Sequence, residues 1–164
     1  MSAKGKFNVK GINFDIRNIS MRTSFNFLAP INLRNRNQLK AFIKQIFATE
    51  GTIGNSVDVI FCSDSYLLNI NSSFLKHDFF TDIITFNLAD KNAAVHGEIY
   101  ISVDTVKTNA VRFNNTVDKE LHRVIFHGIL HLCGYTDKTA KQQTLMTAKE
   151  DYYLALYFDV PRGA

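Results

Sequence analysis

Two histidines and an aspartate late in the chain have the types and spacing of metal ligands. His127 and His131 lie four residues apart in the segment H-G-I-L-H-L-C-G-Y-T-D, which ends at Asp137. At 3.6 residues per helical turn, side chains four apart project from one face, so both imidazoles can bind one ion. Gly134 suits a helix end with positive φ, after which a short turn can return Asp137 to that face. The segment therefore predicts a metal site with ligands His127, His131 and Asp137.

Three protein ligands would leave one coordination position open. Catalytic zinc sites keep that position for a water that becomes the nucleophile, whereas structural zinc sites are usually closed by four ligands, mostly cysteines. This chain has only Cys62 and Cys133, which form no C-x-x-C pair. Cys133 also points about 200° around a helix from His131, which favours a packed residue over a ligand. We therefore expect a catalytic site that binds one Zn²⁺ ion.

The spacing H-x-x-x-H-x-x-G-x-x-[H/D] is also that of the metzincin proteases, which makes a peptide substrate an alternative. Those enzymes need a glutamate directly after the first histidine to take a proton from the metal-bound water. Gly128 stands at that position in this chain. Peptide hydrolysis by that route therefore lacks its general base.

The charge of the chain is unevenly distributed. Residues 1–50 carry nine Lys/Arg and two Asp/Glu, a net charge of +7, whereas the remainder has ten basic and thirteen acidic residues, a net charge of −3. A basic N-terminal region could attract a polyanion such as RNA, or it could be an ordinary solvated helix face. The composition leaves both interpretations open.

Length and hydrophobic content bound the class of protein. The 164 residues are 46% hydrophobic, enough for one well-buried core but few for two domains. No apolar run reaches 18 residues, and Met1–Asn8 lacks the apolar region of a signal peptide. With no disulfide framework either, we expect a cytoplasmic protein with reduced thiols and no membrane partner.

Hydrophobic periodicity predicts the elements that would position the metal site. Strands are expected around Phe25 and Phe27, and at Val57–Cys62, Thr81–Leu88 and Gly97–Ser102; helices are expected at Asn35–Gly51, after Ser63, and at about 103–113, 116–133 and 139–157. The polar loop 89–96 can join two antiparallel strands. We therefore predict an α+β fold: a single domain over residues 1–164, with a small mixed β-sheet of about four strands packed with about five helices, and a zincin-like helix that carries the metal site.

Four segments, in this order, carry a resemblance to a known family. They are FCSDSYLLNIN (Phe61–Asn71), HDFFTDIITFNL (His77–Leu88), HGEIYIS (His96–Ser102) and HGILHLCGY (His127–Tyr135). Together they resemble the YbeY family of metal-dependent endoribonucleases. The resemblance implies a single-strand-specific endoribonuclease that acts in rRNA maturation, especially at the small-subunit 3′ end, and in ribosome quality control. It also implies RNA and the small ribosomal subunit as partners, with no DNA partner expected.

The chain departs from the family pattern at positions that bear on catalysis. Asp137 stands where the family usually has a third histidine, and Leu75 stands where many members have an arginine. Lys76 or His77 would be the nearest replacement for that positive charge. The resemblance makes Glu98 a candidate catalytic residue beside His127, although Glu98 could equally only orient a ligand or solvate a strand edge.

Two more positions and one helix complete the expectations. Met146 and Glu150 match a family feature, and we interpret them as support beneath the metal. The basic helix from Arg36 to Lys44 could contact RNA phosphates. Three functions follow: an rRNA-processing endoribonuclease, a ribosome-associated RNA-binding factor with little hydrolytic activity, or a metal hydrolase of another substrate such as a peptide.

Overall fold

The computed structural model describes residues 6–9, 12–15, 20–76 and 80–159 of the chain. The elements are β1 (Lys6–Val9), β2 (Ile12–Asp15), β3 (Arg22–Phe27), α1 (Arg36–Thr49), β4 (Gly54–Cys62), α2 (Asp64–Leu75), β5 (Ile83–Asn87), β6 (Val95–Ser102), α3 (Val103–Arg112), α4 (Val117–Leu132) and α5 (Ala140–Phe158). Strands β1 and β2 form an antiparallel pair that the sequence analysis did not predict. None of the described helices is long and apolar enough to cross a membrane.

The main sheet has four strands in the order β3-β4-β6-β5 and is mixed, as predicted. Strands β3, β4 and β6 run parallel, and the edge strand β5 runs antiparallel to β6. The near-continuous apolar run in β4 suits a strand with parallel neighbours on both sides. The predicted α+β class, with a small mixed sheet and five helices, is confirmed.

The two faces of the sheet have different neighbours. On β6, a Cβ added at Gly97 would lie 2.4 Å from Leu132 of α4, and Ile99 lies 2.9 Å from the Cβ position of Gly128, also in α4. Helix α4 therefore packs against this face and runs antiparallel to β6. Because successive side chains in a strand point to opposite faces, Glu98 faces away from α4.

Helices α1 and α4 run side by side in the same direction. Phe42 and Phe126 have ring centroids 5.3 Å apart, and Tyr135, just past α4, donates a 2.6 Å hydrogen bond to Glu50, just past α1. Helix α5 packs across both, with the Tyr157 ring 5.0 Å from Phe42 and 5.8 Å from Phe126. The C-terminal ends of α1 and α4 are thereby held together at the predicted metal site.

Four of the five helices begin with a capping hydroxyl, and α1 does not. Ser63, Ser102, Thr116 and Thr139 each accept a hydrogen bond from the backbone N–H three residues later. Such a bond is typically worth about 1 kcal/mol. Asn35, before α1, has a φ of 53° and makes no side-chain cap bond. The backbone N–H groups of the first turn of α1 therefore lack this partner.

Candidate metal centre

The structure brings His127, His131 and Asp137 together at the C-terminal end of α4. The two histidine Nε2 atoms are 2.9 Å apart, and Asp137 Oδ2 lies 3.4 Å from Nε2 of His127 and 3.6 Å from Nε2 of His131. A tetrahedral ion with bonds of about 2.0–2.2 Å separates its ligand atoms by roughly 3.3 Å. The three observed distances scatter around that value, so the spacing fits a single ion.

Each imidazole turns Nε2 toward its neighbour because its Nδ1 is bonded elsewhere. Nδ1 of His127 donates to the Glu150 carboxylate, and Nδ1 of His131 donates to the Tyr135 carbonyl oxygen at 2.9 Å. A neutral imidazole carries one proton, so both Nε2 atoms then present lone pairs to each other. A cation between them would replace this repulsion with attraction, and the negative charge of the Asp137 carboxylate would partly neutralise the charge of the ion. The donor set therefore fits a divalent metal ion.

The environment of His131 favours the form that binds metal. Burial lowers the pKa of His131, and the nearby His127 lowers it further; Tyr135 and Asp137 oppose these effects only in part. A lowered pKa keeps the imidazole neutral at neutral pH, and neutral imidazole is the metal ligand. The side chain is also 25% exposed, so a ligand entering from solvent can reach it.

A buried charged network supports His127. The Glu150 side chain is 7% exposed, and its second oxygen accepts a 3.1 Å bond from Arg123. Arg123 also donates two bonds, of 2.9 and 2.7 Å, to Glu120, whose side chain is 1% exposed. Burial lowers the pKa of Arg123, but the two carboxylates outweigh it and raise the pKa, so the guanidinium stays charged. Of the two predicted supporting residues, Glu150 contacts the ligand and Met146 is buried in the core.

The turn after α4 positions His131 and Asp137. Gly134 has a φ of 98°, which favours glycine, and its N–H donates to the His131 carbonyl oxygen at 3.0 Å. The Gln143 side chain donates to the carbonyl oxygen of Asp137 at 3.0 Å. Two features thus direct the chain after α4 back toward the histidines: the positive φ of Gly134 and the hydrogen bond from Gln143 of α5.

Glu50 anchors this turn to the end of α1. Its side chain is 8% exposed and accepts bonds from Tyr135 at 2.6 Å, from Lys149 at 2.9 Å, and from the Tyr153 hydroxyl. Burial raises the pKa of Glu50, but these three donors together lower it below its usual value. Sequence analysis missed this group because its members lie far apart in the chain. Tyr135 thus links Glu50 to His131: its hydroxyl donates to Glu50, and its carbonyl oxygen accepts from His131 Nδ1.

A cleft of about 420 Å³ opens beside His131. The end of α2, strand β5 and α4 form its walls, with Leu75 and Thr85 among the lining residues. None of the described residues that line it is an arginine or a lysine. Lys76, the next residue after Leu75, is exposed, and His77 lies outside the described residues. No described residue that lines this cleft therefore supplies the positive charge that the family resemblance implies here.

Glu98, the predicted catalytic carboxylate, lies apart from the three candidate ligands, and its catalytic role stays a prediction. Its side chain lies on the sheet face opposite α4, where Glu98 Oε2 accepts a 2.8 Å bond from the Tyr100 hydroxyl. Burial, and then this carboxylate, raise the pKa of Tyr100 to about 12. The carboxylate that contacts His127 is Glu150. Strand alternation explains the difference, because Gly97 on the same strand faces α4.

Gly128 occupies a position with no room for a side chain. A Cβ there would lie 2.9 Å from both Ile83 and Ile99 of the sheet. The glycine allows α4 to approach the sheet closely, whereas the metzincin proteases have their general base at this position. The structure therefore gives a packing reason for the absence of a proteolytic glutamate.

The other described histidines and the nearby Cys133 are not among the candidate metal ligands. His96 is in β6, not in the loop where it was predicted. His122 is buried, with its ring 4.9 Å from that of Tyr157. Burial, with a smaller effect of Glu50, raises the pKa of Cys133 to about 12, so its thiol stays protonated. Cys133 is thus the packed residue that the sequence predicted.

Comparison with known proteins matches this chain to one family. The family described as Endoribonuclease YbeY matches residues 28–157. A protein of Cytophaga hutchinsonii named Endoribonuclease YbeY is 47% identical over 76% of this chain and 87% of its own length. One of the same name from Flavobacterium psychrophilum is 39% identical over 82% of this chain and 95% of its own length.

A solved structure is similar as well. The solution structure of a Thermotoga maritima protein is 31% identical and covers 85% of this chain and 90% of its own, with a TM-score of 0.58. The family match covers α1 to α5, including all three candidate ligands. The chain therefore belongs to the Endoribonuclease YbeY family.

Proposed function

We propose that this protein is a zinc-dependent, single-strand-specific endoribonuclease that processes rRNA precursors at the small-subunit 3′ end. The observation that carries the proposal is the pair of facing Nε2 atoms of His127 and His131, with Asp137 beside them at the mouth of a cleft. Two imidazoles and a carboxylate with an open position are a donor set of catalytic zinc sites. The name of the curated relatives supports RNA as the substrate.

The chain's own residues divide the work between binding and orientation. His127, His131 and Asp137 would hold the ion, which would supply Lewis-acid chemistry toward a phosphodiester. Glu150 accepts the Nδ1 proton of His127 and so fixes the tautomer that leaves Nε2 free to bind. The Tyr135 carbonyl oxygen does the same for His131. The cleft between α2 and β5 would hold the RNA strand beside these ligands.

The proposal extends beyond the site to the whole chain. We propose a single domain over residues 1–164, a cytoplasmic location, the small ribosomal subunit as a partner, and a part in ribosome quality control. Support for the domain comes from the family match over residues 28–157. The resemblance of the sequence to the family supports the location and the ribosomal partner.

A second candidate function is an RNA-binding factor with little hydrolytic activity. The observation that favours it is the absence of arginine and lysine among the described residues that line the metal cleft, where Leu75 takes the place of an arginine. Without a cation near the scissile phosphate, the transition state would lose electrostatic stabilisation. The catalytic rate would then be lower, whereas the affinity for RNA would be retained.

One experiment separates these functions. Purified protein is analysed for bound metal and then incubated with a structured rRNA precursor carrying a single-stranded 3′ extension, beside a His131→Ala variant and an unfolded protein substrate. We expect bound zinc, and RNA cleavage that the variant loses. Equal RNA cleavage by the variant would reject the metal-dependent nuclease. RNA binding without cleavage would favour the second candidate, and digestion of the protein substrate would favour a peptide hydrolase.

A further inference from the structure

A second, larger cleft lies at the other end of α1 and α4 from the metal ligands. It has a volume of about 760 Å³ and is bounded by the end of β3, the loop that follows, the start of α1, α3 and the start of α4. Asp118 on its wall precedes His127 by nine residues, which is about 13 Å along α4. It is therefore distinct from the cleft beside His131, and we call it the distal cleft.

The charged lining of the distal cleft is mostly basic. Arg34, Arg36 and Lys107 line it together with one acidic residue, Asp118. All three basic side chains are exposed, and none forms an ion pair with any residue in 20–76 or 80–159. Asp118 lies 3.4 Å from Nδ1 of His122. The cleft therefore presents positive charge that carboxylates of the described residues do not neutralise, and it should attract anions.

Arg36 is held in place before any ligand binds. Its guanidinium lies 4.5 Å from the centroid of the Phe27 ring, and its Nε donates to the Leu33 carbonyl oxygen at 3.3 Å. Phe27 is itself stacked on Phe61, with centroids 5.0 Å apart. The terminal N–H groups of Arg36 make no hydrogen bond to the described residues, which leaves them available for a bidentate contact with phosphate. Because the side chain is already ordered, such a contact costs less entropy.

The positive charge continues from the distal cleft along α1 toward the metal site. Lys40 follows Arg36 at four residues on the same helix face, with its Nζ 5.9 Å from the Phe25 centroid, and Lys44 follows at the next turn. From Arg36 to Glu50 the helix rises about 21 Å. Glu50 accepts a bond from Tyr135, in the turn that carries the metal ligand Asp137. The basic face of α1 thus runs along the β3 edge of the sheet, from the distal cleft toward the end of α1 that Glu50 links to the metal-site turn.

We propose that the distal cleft and the basic face of α1 bind the phosphates of an RNA strand whose scissile bond lies in the metal cleft. This inference rests on the proposed function. Charge complementarity identifies RNA as the ligand. The cations of α1 recur about once per helical turn, and a polyanion can contact several of them at once. These contacts add affinity without sequence preference. The chain would hold long RNA more tightly than short RNA.

The test compares two double variants of the full-length chain. Arg34→Gln with Arg36→Gln removes charge from the distal cleft, and Lys91→Gln with Lys141→Gln removes the same charge at exposed positions elsewhere. Fluorescence anisotropy measures binding of a labelled 20-nucleotide single-stranded RNA across a salt series, with EDTA present to prevent cleavage. Cleavage kinetics with zinc are then measured for this RNA and for a trinucleotide.

We expect the distal-cleft variant to bind the 20-nucleotide RNA about tenfold more weakly at low salt. The slope of log K against log salt should fall by about 1.4, because each single-strand phosphate contact contributes about 0.7. For the long RNA, KM should rise while kcat is unchanged, and cleavage of the trinucleotide should not change. The control variant should show smaller effects in binding and in slope.

The outcomes that overturn the inference differ from those that overturn the proposed function. Wild-type protein that cleaves RNA, with equal salt slopes in both double variants, rejects the distal cleft as an RNA site. Adenosine monophosphate that competes at the affinity of the long RNA also rejects it, in favour of a small-nucleotide site. Wild-type protein that fails to cleave any RNA rejects the proposed function, while the binding comparison still decides the role of the distal cleft.

Discussion

The two candidate histidine ligands are held in place by different means. Nδ1 of His127 donates to Glu150, a side chain from another helix that is itself bound by Arg123. Nδ1 of His131 donates to a backbone carbonyl, that of Tyr135, four residues further along the chain. One ligand depends on a buried network of charges and the other on a local turn.

This difference implies different weaknesses. Buried charges cost several kcal/mol each in desolvation, so the His127 side is stable only while every partner is present. The turn beside His131 depends on backbone geometry at Gly134 and on the tether from Glu50 to Tyr135. Substitutions on the His127 side should therefore have the larger effects.

The largest effect is expected for Arg123→Met. This change leaves Glu120 and Glu150, whose side chains are 1% and 7% exposed, without their shared cation. Removing one partner of a buried pair typically costs about 3–5 kcal/mol. Urea unfolding of the metal-free variant should show a loss of that order. Arg112→Met, at an exposed position, is the control, and an equal loss in both variants would contradict the network.

Glu150→Gln should affect metal binding more specifically. An amide cannot accept from both His127 and Arg123 as the carboxylate does, so one of the two hydrogen bonds is lost or misdirected. Loss of the partner that orients a ligand histidine typically lowers metal affinity about 10- to 100-fold. Competition with a chromogenic chelator measures the zinc affinity. Asp151→Asn, its exposed neighbour, should retain wild-type affinity, and a matching value for Glu150→Gln would argue against the positioning role.

What the sequence could predict follows the same division between local and long-range contacts. The helix of His127 and His131, the glycine turn and the return of Asp137 all lie within eleven residues, so spacing alone was informative. The sheet and its five helices followed from periodicity and from caps such as Ser63. The β1–β2 pair was missed although Phe7, Val9, Ile12 and Phe14 alternate with polar residues, which is a readable strand signal in two short segments.

The long-range part of the site was not predictable in this way. Glu50 lies 85 residues before Tyr135, and no spacing rule links residues so far apart. The resemblance made Glu98 a catalytic candidate without saying which sheet face it occupies, whereas its alternation with Gly97 and Ile99 was a readable signal that its side chain faces away from α4. Arg123 and Glu120 had a readable spacing of three on one helix, which would have indicated a pair but not its link to Glu150.

Glu50→Gln should have a smaller, pH-dependent effect on the His131 side. Burial raises the pKa of Glu50, but Tyr135, Tyr153 and Lys149 together bring it below the usual 4.5. The ionised carboxylate therefore stabilises the fold above about pH 4.5, and this stabilisation is lost as the pH falls through the lower folded-state value. At neutral pH the variant should lose about 1.5–2 kcal/mol, since the donors bind a charged acceptor.

Urea unfolding of the metal-free proteins between pH 3 and pH 7 checks this expectation. The difference between wild type and Glu50→Gln should shrink as the solution becomes more acidic. Glu98→Gln is the matched control because Glu98 accepts a single bond, from Tyr100, on the other face of the sheet. A difference that stays constant over the whole pH range would show that the charge of Glu50 does not stabilise the fold.

Gly134→Ala should have the smallest effect and tests the turn alone. No atom lies within 4 Å of the added Cβ, so the cost comes only from a φ of 98°, roughly 1 kcal/mol for a residue other than glycine. Gly134→Asn should cost less, because asparagine tolerates positive φ better than alanine does. Unfolding of the metal-free variants gives the cost, and zinc competition shows whether Asp137 is still well placed. If alanine and asparagine were equally tolerated and zinc affinity were unchanged, the backbone at Gly134 would not be what directs Asp137 toward the histidines.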